Sequence, residues 1–437
     1  MNKQTARLWI ASALIAGLVL GAVWHWMHVF PFPQLSAWKY KLGKQPALVK
    51  PPGRWKQAPT PDGLSEQQRR EIQRLEAIGY LSGSQMATDR SNVTVHEETL
   101  AFEGLNLIVS GHATEAILTD MDGQPIHTWH CEARRAWPDL ASGQVQHGSR
   151  NYWRRVHLLP GGHVLAIFQG IGLIKLDQDS NLLWGVRNGA HHDLDVDPEG
   201  NIYLLTRKAH VNPEVHAENP ILEDYITILD PDGNLLEEIP ILPLLRNSPY
   251  APILGRLADA GDILHTNTIE ILGNRPTDGP SPFQPHQILL SIRQLDLVCV
   301  ADLERETISW AESDVWHRQH QPTLLPNGHL LVFDNRTGPN ASSVVEFDSF
   351  RRKVTWAYRG NEQHPFYSES CGSCQRLPNG NTLVTESDPG RAFEVTPDKN
   401  IVWEYMNPHR AGEANQLAAT LFAVIRLPPD TPLDWLP

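Results

Sequence analysis

Two kinds of turn alternate along most of this chain, and their alternation narrows the fold more than any other feature. One is a Pro-x-Gly turn before an apolar run: Pro160-Gly161-Gly162, Pro198-Glu199-Gly200, Pro326-Asn327-Gly328 and Pro378-Asn379-Gly380. The other is an acidic turn between two apolar runs: Asp120-Met121-Asp122-Gly123, Asp177-Gln178-Asp179-Ser180, Asp230-Pro231-Asp232-Gly233 and Thr396-Pro397-Asp398-Lys399. Weaker acidic versions fall at 302–305 and 348–352. Proline presets the backbone for a turn, glycine accepts positive φ, and aspartate hydrogen-bonds its own backbone two residues on. Many of the runs after the acidic turn end in an aromatic: Trp129, Trp184, Trp310, Trp356, Trp403. One unit thus reads as strand, Pro-x-Gly turn, strand, loop, strand, acidic turn, strand ending in Trp.

Counted from the acidic turns there are six units, at spacings of roughly 45–70 residues, longer than compact propeller repeats because loops are inserted. Four-stranded antiparallel units in radial repetition make a β-propeller. The expected fold class is all-β, a six-bladed β-propeller over residues 95–437. The last apolar run, 420–427, has no partner in its own unit. It is expected to pair beside the first unit, near Leu105 to Val109, and close the ring. A stack of separate sandwiches predicts no such leftover strand, and a parallel β-helix wants a much shorter repeat.

Composition agrees where it bears on this. With 31 Gly and 34 Pro, mostly at turn positions, the chain suits many short strands. A hydrophobic content of 41% supplies a core, and the 14 Trp suit aromatic packing at blade edges. The net charge of −13 argues against a nucleic-acid partner, which would call for a basic patch. No Gly-rich phosphate loop marks a nucleotide site.

Two segments precede the repeats. Lys3 and Arg7 stand before an uncharged run, 8–24, extended to Phe30. That length suits a bilayer, which needs about 20 apolar residues. The early cations put the N-terminus on the cytoplasmic side, and Trp24 and Trp26 suit the far interface. A cleaved signal peptide is the rival reading, but Leu20 is large where a small residue is wanted. Residues 1–30 are therefore expected to be an uncleaved signal anchor, with the rest of the chain exported; in a bacterium that is the periplasmic side of the inner membrane. Residues 31–94 read as a linker. Within it, Ser65 with Gln68 makes a capping-box pattern, and Ile72, Leu75, Ile78 and Leu81 make an apolar stripe. A short amphipathic helix over 65–81, packed on the main domain, is expected there, followed by a loose stretch, 84–95.

In a propeller the first strand of each blade lines the axis. Aligned on the proline of Pro-x-Gly, the residues six places earlier are Arg154 in unit 2, His192 in unit 3, His320 in unit 5 and Gly372 in unit 6. Unit 4 lacks the turn, but its run from His265 starts in the same way. The register sends Arg154, His192, His265 and His320 to equivalent points around one axis. A chance histidine at one such point is unremarkable among 20; three in register are read as a shared site. Asn335 and Arg336 end the second strand of unit 5, and Arg391 follows the corresponding loop of unit 6. An Arg fork binds a tetrahedral oxyanion well because its donors are fixed and always charged. A turn anchor with a surface salt bridge is the plainer reading of Asn335 and Arg336.

Three stretches, HHDLDVDPEGNIYLLTR (191–207), HQPTLLPNGHLLVFDNR (320–336) and SCQRLPNGNTLVTESDPGRAFEVTPDKNIVWEY (373–405), together with the first unit, 103–129, resemble the bacterial arylsulfate sulfotransferase family. The resemblance covers roughly 95–427. It implies a periplasmic six-bladed propeller that moves a sulfuryl group from an aryl sulfate ester to a phenol through a central histidine, with no nucleotide donor and no cofactor or metal. It implies catalytic roles for His192, His320 and Arg336, with Asn335 beside Arg336 at the oxyanion. Together with the register and loop positions above, the candidate catalytic residues are His192, His265, His320 and Arg336, and the candidate substrate-binding residues are Arg154, Asn335 and Arg391. Neutral imidazole is a competent nucleophile near neutral pH, a second histidine can protonate the leaving phenolate, and Arg stabilises sulfuryl oxygens. The chain departs from the family in unit 6. Where the transfer histidine is expected it reads Tyr367-Ser368-Glu369-Ser370-Cys371-Gly372-Ser373-Cys374. Either His320, His192 or His364 fills in, or the protein is a non-catalytic propeller, binding an anionic ligand or serving as an assembly scaffold. A quinone-cofactor dehydrogenase propeller would show tryptophan-rich docking repeats and a calcium site, and neither is present in the sequence.

Cys371 and Cys374 form a Cys-x-x-Cys pair at the expected channel mouth. In an exported protein a disulfide is the first reading, with free thiols second. Zinc is third, because it would need two further ligands.

Overall fold

The computed structural model describes residues 64–76, 85–86, 88–140, 150–273, 279–413 and 415–436. The expected anchor, 1–30, and the linker up to residue 63 lie outside these. Among the described residues no helix is long and apolar enough to cross a membrane.

The runs between the two turn types form strands, and six sheets each hold a four-stranded antiparallel meander, consecutive in the chain in all but the first, which takes its innermost strand from the C-terminus. The acidic turns close because their first aspartate accepts backbone N–H bonds: Asp120 from Asp122 and Gln124, Asp177 from Asp179 and Asn181, Asp230 from Asp232 and Asn234. The sheets are the blades of a propeller, and six apolar clusters fill the gaps between neighbouring blades around the whole ring. Both faces of a blade are therefore covered. That is why runs such as Val164–Phe168, buried at every position, are continuously apolar rather than alternating.

Blade 1 is closed as the leftover run required. Its innermost strand is the C-terminal Leu421–Leu427, which pairs antiparallel with Leu105–Ser110 in the register Leu427 with Leu105 and Leu421 with Ser110. The stretch expected to be loose, 84–95, is not. Asn92–His96 forms an additional outer strand on blade 6, pairing with Ile401–Met406, and Gln85–Met86 pairs with Leu417–Ala418. The propeller thus begins at Asn92 rather than residue 95. The reason is edge satisfaction: the outer strand of blade 6 has unpaired N–H and C=O groups, and a passing segment covers them.

Tryptophans at the ends of the outer strands join each blade to the next. Trp184, Trp356 and Trp403 each donate Nε1–H to a carbonyl in the following blade's acidic turn: Pro231, Pro397 and Met121. Trp129 reaches Gly162 in the Pro-x-Gly turn of blade 2, and Trp310 lies under the Arg352 guanidinium.

The amphipathic helix is present over Glu66–Glu76, shorter than the 65–81 expected; residues 77–84 lie outside the described set. Ser65 and Gln68 exchange both bonds of the capping box, at 2.8 and 3.1 Å. Leu75 and Ile72 pack on Ala209 and Leu222 of blade 3.

Candidate active site

The innermost strands face the axis with an edge that has no ladder partner. Their N–H groups would be orphaned there, and side chains of the preceding blade accept them instead. Asp193 and Asp195 accept from Ile269 and Ile271, Thr268 and Glu270 from Gln321 and Leu324, and Thr385 and Gln375 from Val424 and Arg426. This polar stitching fixes where each strand begins, and so where the first residues of each strand point.

Blades 3, 4 and 5 begin with a break in register, after Ala190, Thr266 and His320 respectively. At or beside each break a non-glycine residue is left-handed: His192 at φ 55°, His265 at 52°, Gln321 at 46°. Such backbone costs of order 1–3 kcal/mol per residue and persists only where surroundings impose it. Here it turns the histidines inward. The His192 and His265 rings are 4.9 Å apart. Burial and the charges of Arg293, Arg154 and His265 all depress the pKa of His320, and His320 and Arg154 act on His192 in the same way. Arg154, His192, His265 and His320 therefore converge, as the register implied. None is more than 8% exposed, so the centre is enclosed rather than the open pocket an accessible site would present.

Asn335 is fully buried and determines the state of His320. Its Nδ2 donates to the carbonyls of Ser368 and Cys371, at 2.9 and 2.7 Å. With both amide hydrogens engaged, its Oδ1 is an acceptor, and it lies 2.7 Å from His320 Nδ1. That nitrogen must carry the proton, which leaves the lone pair on Nε2. Burial, then the nearby Arg293 cation, hold the ring well below its ordinary pKa, so it is neutral. His265 is oriented differently, with Nδ1 2.5 Å from an Asp262 carboxylate oxygen. His191 and His192 share one proton across 2.8 Å between their Nδ1 atoms, and His191 Nε2 stands 3.6 Å from Asp224. Burial, with Asp262 beside it, pushes Asp224 up to about 7. At 3.6 Å His191 Nε2 and Asp224 Oδ1 are not hydrogen-bonded, and neither atom has a partner among the described residues, so the carboxyl stands beside the imidazole pair without being joined to it.

Two buried donors in this chamber have no acceptor among the described residues, Arg154 Nε and Gln169 Nε2. Buried donors are almost always paired, so the pair marks a place suited to an anion. Gln169 itself is held by accepting the His192 N–H. Arg207 packs its guanidinium against Gly170, where an added Cβ would come within 2.4 Å of it.

Several expected residues take other positions. Arg336 lies on the rim, 43% exposed, bound to Glu369 at 2.8 Å. Arg391 is buried between Glu386 and Glu404, at 3.1 and 2.8 Å, on the third strand of blade 6. His364 is exposed. The disulfide reading of Cys371 and Cys374 is corrected: both are free, buried thiols. Cys371 packs in the cluster between blades 1 and 2, whereas Cys374 packs in the one between blades 5 and 6. Their side chains point into different cores, and the intervening Gly372 has φ 112°. Gly372 also answers what unit 6 sets opposite His320. It brings no side chain, because a Cβ there would meet the Phe333 ring at 2.6 Å.

Arg293, Gln169, His191, Asp224 and Asp262 were not found by aligning the starts of the first strands. A different alignment contains part of the signal. Arg207, Arg293 and Arg336 each follow the apolar run of a second strand, and those ends lie at the same end of the ring as the histidines.

The chain was compared with known proteins. None of the curated proteins matches it. Among solved structures it resembles a Bacteroides caccae protein of unknown function, with 11% identity, 74% of this chain and 98% of that one covered, and a TM-score of 0.48. Streptogramin B lyase aligns with 11% identity over 80% and 94% of the two chains, at a TM-score of 0.42. Apo AztD from Citrobacter koseri aligns with 10% identity over 75% and 98%, at 0.40. At such scores nothing is carried over from these structures. The family model for arylsulfotransferase (ASST), in contrast, matches residues 155–408, more than half of the chain, from the second blade to the end of the sixth. On that match, this six-bladed propeller with histidines at its axis belongs to the arylsulfotransferase family.

Proposed function

We propose that the chain transfers a sulfuryl group from an aryl sulfate ester to a phenol through His320, without a nucleotide sulfate donor. The observation that supports this most is the bond from His320 to Asn335, whose amide is committed to two backbone carbonyls. It gives His320 the tautomer a nucleophile needs. In the first half of the reaction Nε2 attacks the sulfur. An N–S bond forms, the S–O bond to the aryl group breaks, and its electron pair leaves on the phenolate oxygen. Asp224, His191 and His192 can relay a proton to that oxygen once the 3.6 Å gap between Asp224 and His191 closes. In the second half a phenol attacks the same sulfur, returns its proton to the relay, and the N–S bond breaks. Arg154, Arg293 and Gln169 would hold the sulfuryl oxygens, where charge builds up in the transition state.

We also take residues 1–30 as a signal anchor that leaves the propeller on the periplasmic side of the inner membrane. The support is the uncharged run 8–24 behind Lys3 and Arg7. A reporter that is active only after export, fused behind the run, should be active; inactivity would refute the anchor and its orientation.

The catalytic reading is tested with a nitrophenyl sulfate. Phenolate release should accelerate on adding phenol, and mass spectrometry of a quenched reaction should locate a sulfated His320. Release that is unchanged in His320→Ala would sink the assignment. One observation favours a second reading, an anion-binding propeller without turnover: the unit 6 position holds Gly372 and so offers no second transfer residue. That reading predicts sulfate ester binding by folded protein with no covalent adduct.

A further inference from the structure

The seam between blades 1 and 6 carries a second group of histidines, away from the axis. His112 lies in the turn between Leu105–Ser110 and Glu115–Thr119, and Glu115 opens the latter strand. His409 lies on the crossover from the outer strand of blade 6, Ile401–Met406, to the innermost strand of blade 1. That crossover is pinned just before His409. Asn407 donates through Nδ2 to Ser110 and to the Ala419 carbonyl, at 2.8 and 2.9 Å, and accepts the His409 N–H at 3.2 Å. The His409 ring is consequently held against His112.

The two rings stack with centroids 3.3 Å apart and planes within 7°. His112 Nε2 is 2.8 Å from Glu115 Oε1, while His112 Nδ1 is buried without a hydrogen-bond partner among the described residues. One donor atom from each of His112, Glu115 and His409 lies within 4.8 Å of the others. Tetrahedral ligands about 2.0–2.1 Å from a zinc ion stand about 3.4 Å apart, so the three atoms are within reach of one ion once the stacked rings turn to aim their in-plane lone pairs at it.

We propose that His112, Glu115 and His409 bind one divalent transition-metal ion of the zinc type. Two imidazole nitrogens and one carboxylate oxygen suit zinc and its neighbours; calcium and magnesium want oxygen ligands throughout. All three residues are half-buried, which leaves the fourth position open to water. The ion would join the blade 1 turn to the crossover that feeds the closing strand. The crossover enters the start of that innermost strand, the end of the ring where His192, His265 and His320 stand. The ion would thus clamp the ring where its two chain ends meet.

The test uses the purified full-length protein, stripped with a chelator and dialysed against zinc. Metal per chain is counted by mass spectrometry, and thermal melts are recorded with and without zinc. The wild type should hold one zinc more than the double variant His112→Ala, His409→Ala, and zinc should raise its melting temperature but not that of the variant. Should the double variant fail to fold by circular dichroism, His409→Gln takes its place. It should weaken zinc by more than the roughly 10–100-fold that outer-sphere changes cost. A stripped wild type that binds no more zinc than either folded variant overturns the proposal.

Discussion

His320 owes its chemistry to a neighbour with no freedom of its own. The Asn335 amide spends both hydrogens on carbonyls, so it can only accept from His320. Asn335→Ala removes this positioning residue and should lower kcat about 10–100-fold in initial rates. Because it also takes the donor from the buried Ser368 and Cys371 carbonyls, a thermal scan should show a loss of about 1–3 kcal/mol as well. Restoring a carboxamide as Gln should recover little, because its longer arm misplaces the acceptor. The acid limb of kcat/KM reports the free enzyme. The active imidazole is neutral, so activity is lost as pH falls through a pKa that burial and Arg293 have depressed. The limb should therefore lie below the ordinary histidine range, and Arg293→Gln, by removing a like charge, should move it upward. Asp224 gives the opposite linkage. Its pKa is raised from 3.8 to about 7, so between those values the folded state holds a proton that the unfolded state has released. Stability should fall as pH rises through that window, by up to about 1.4 kcal/mol per pH unit. Asp224→Asn should flatten the dependence, measured by denaturant melts at about pH 5 and about pH 8.

At the scale of elements, the tryptophan latches explain why a strand tends to end where it does. Trp403 is buried, donates to Met121 at 2.8 Å, and lies beneath the Arg426 guanidinium at 5.0 Å. Trp403→Phe leaves the Met121 carbonyl unpaired and opens space beside it. It should cost about 1–3 kcal/mol in denaturant melts. The strand-opening breaks are the other local device. In blades 3, 4 and 5 they accompany a histidine aimed at the axis; blades 2 and 6 lack the break and contribute no histidine there, and blade 1 has a break after Leu421 with no histidine at it.

For the whole molecule, stability depends on one closure. The C-terminal strand lies innermost in blade 1, and its Arg426 is fully buried. It bonds to Asn106 of the same blade at 2.7 Å, to the Phe102 carbonyl, and to Glu394 of blade 6 at 3.1 Å. Removing one partner of a buried ion pair strands the other. Arg426→Met should thus cost about 3–5 kcal/mol, with the whole ring melting in one earlier transition, as calorimetry would show. A zinc clamp at the same seam would add to this closure without depending on it.

How much of this was legible from residue order differs by feature. The six units, the turns, the closing strand and the convergence of Arg154, His192, His265 and His320 follow from local patterns, because a repeat imposes the same register on every blade. The outer strand at Asn92–His96 did not: Val93-Thr94-Val95 is β-branched, but the run is short and lies outside the repeat, and it pairs because the edge of blade 6 is there. Arg336 and Arg391 looked alike in sequence, yet nearby carboxylates engage both, one on the rim and one in a blade. The Cys371 and Cys374 spacing suggested a bond that opposed side-chain directions rule out. The charge on His320, the proton on Asp224 and the stacking of His112 on His409 arise between residues far apart in the chain. Sequence determined the repeat and its register, through turn chemistry and hydrophobic runs. Only the tertiary structure decided which polar groups lose water together, and that loss sets their protonation and their partners.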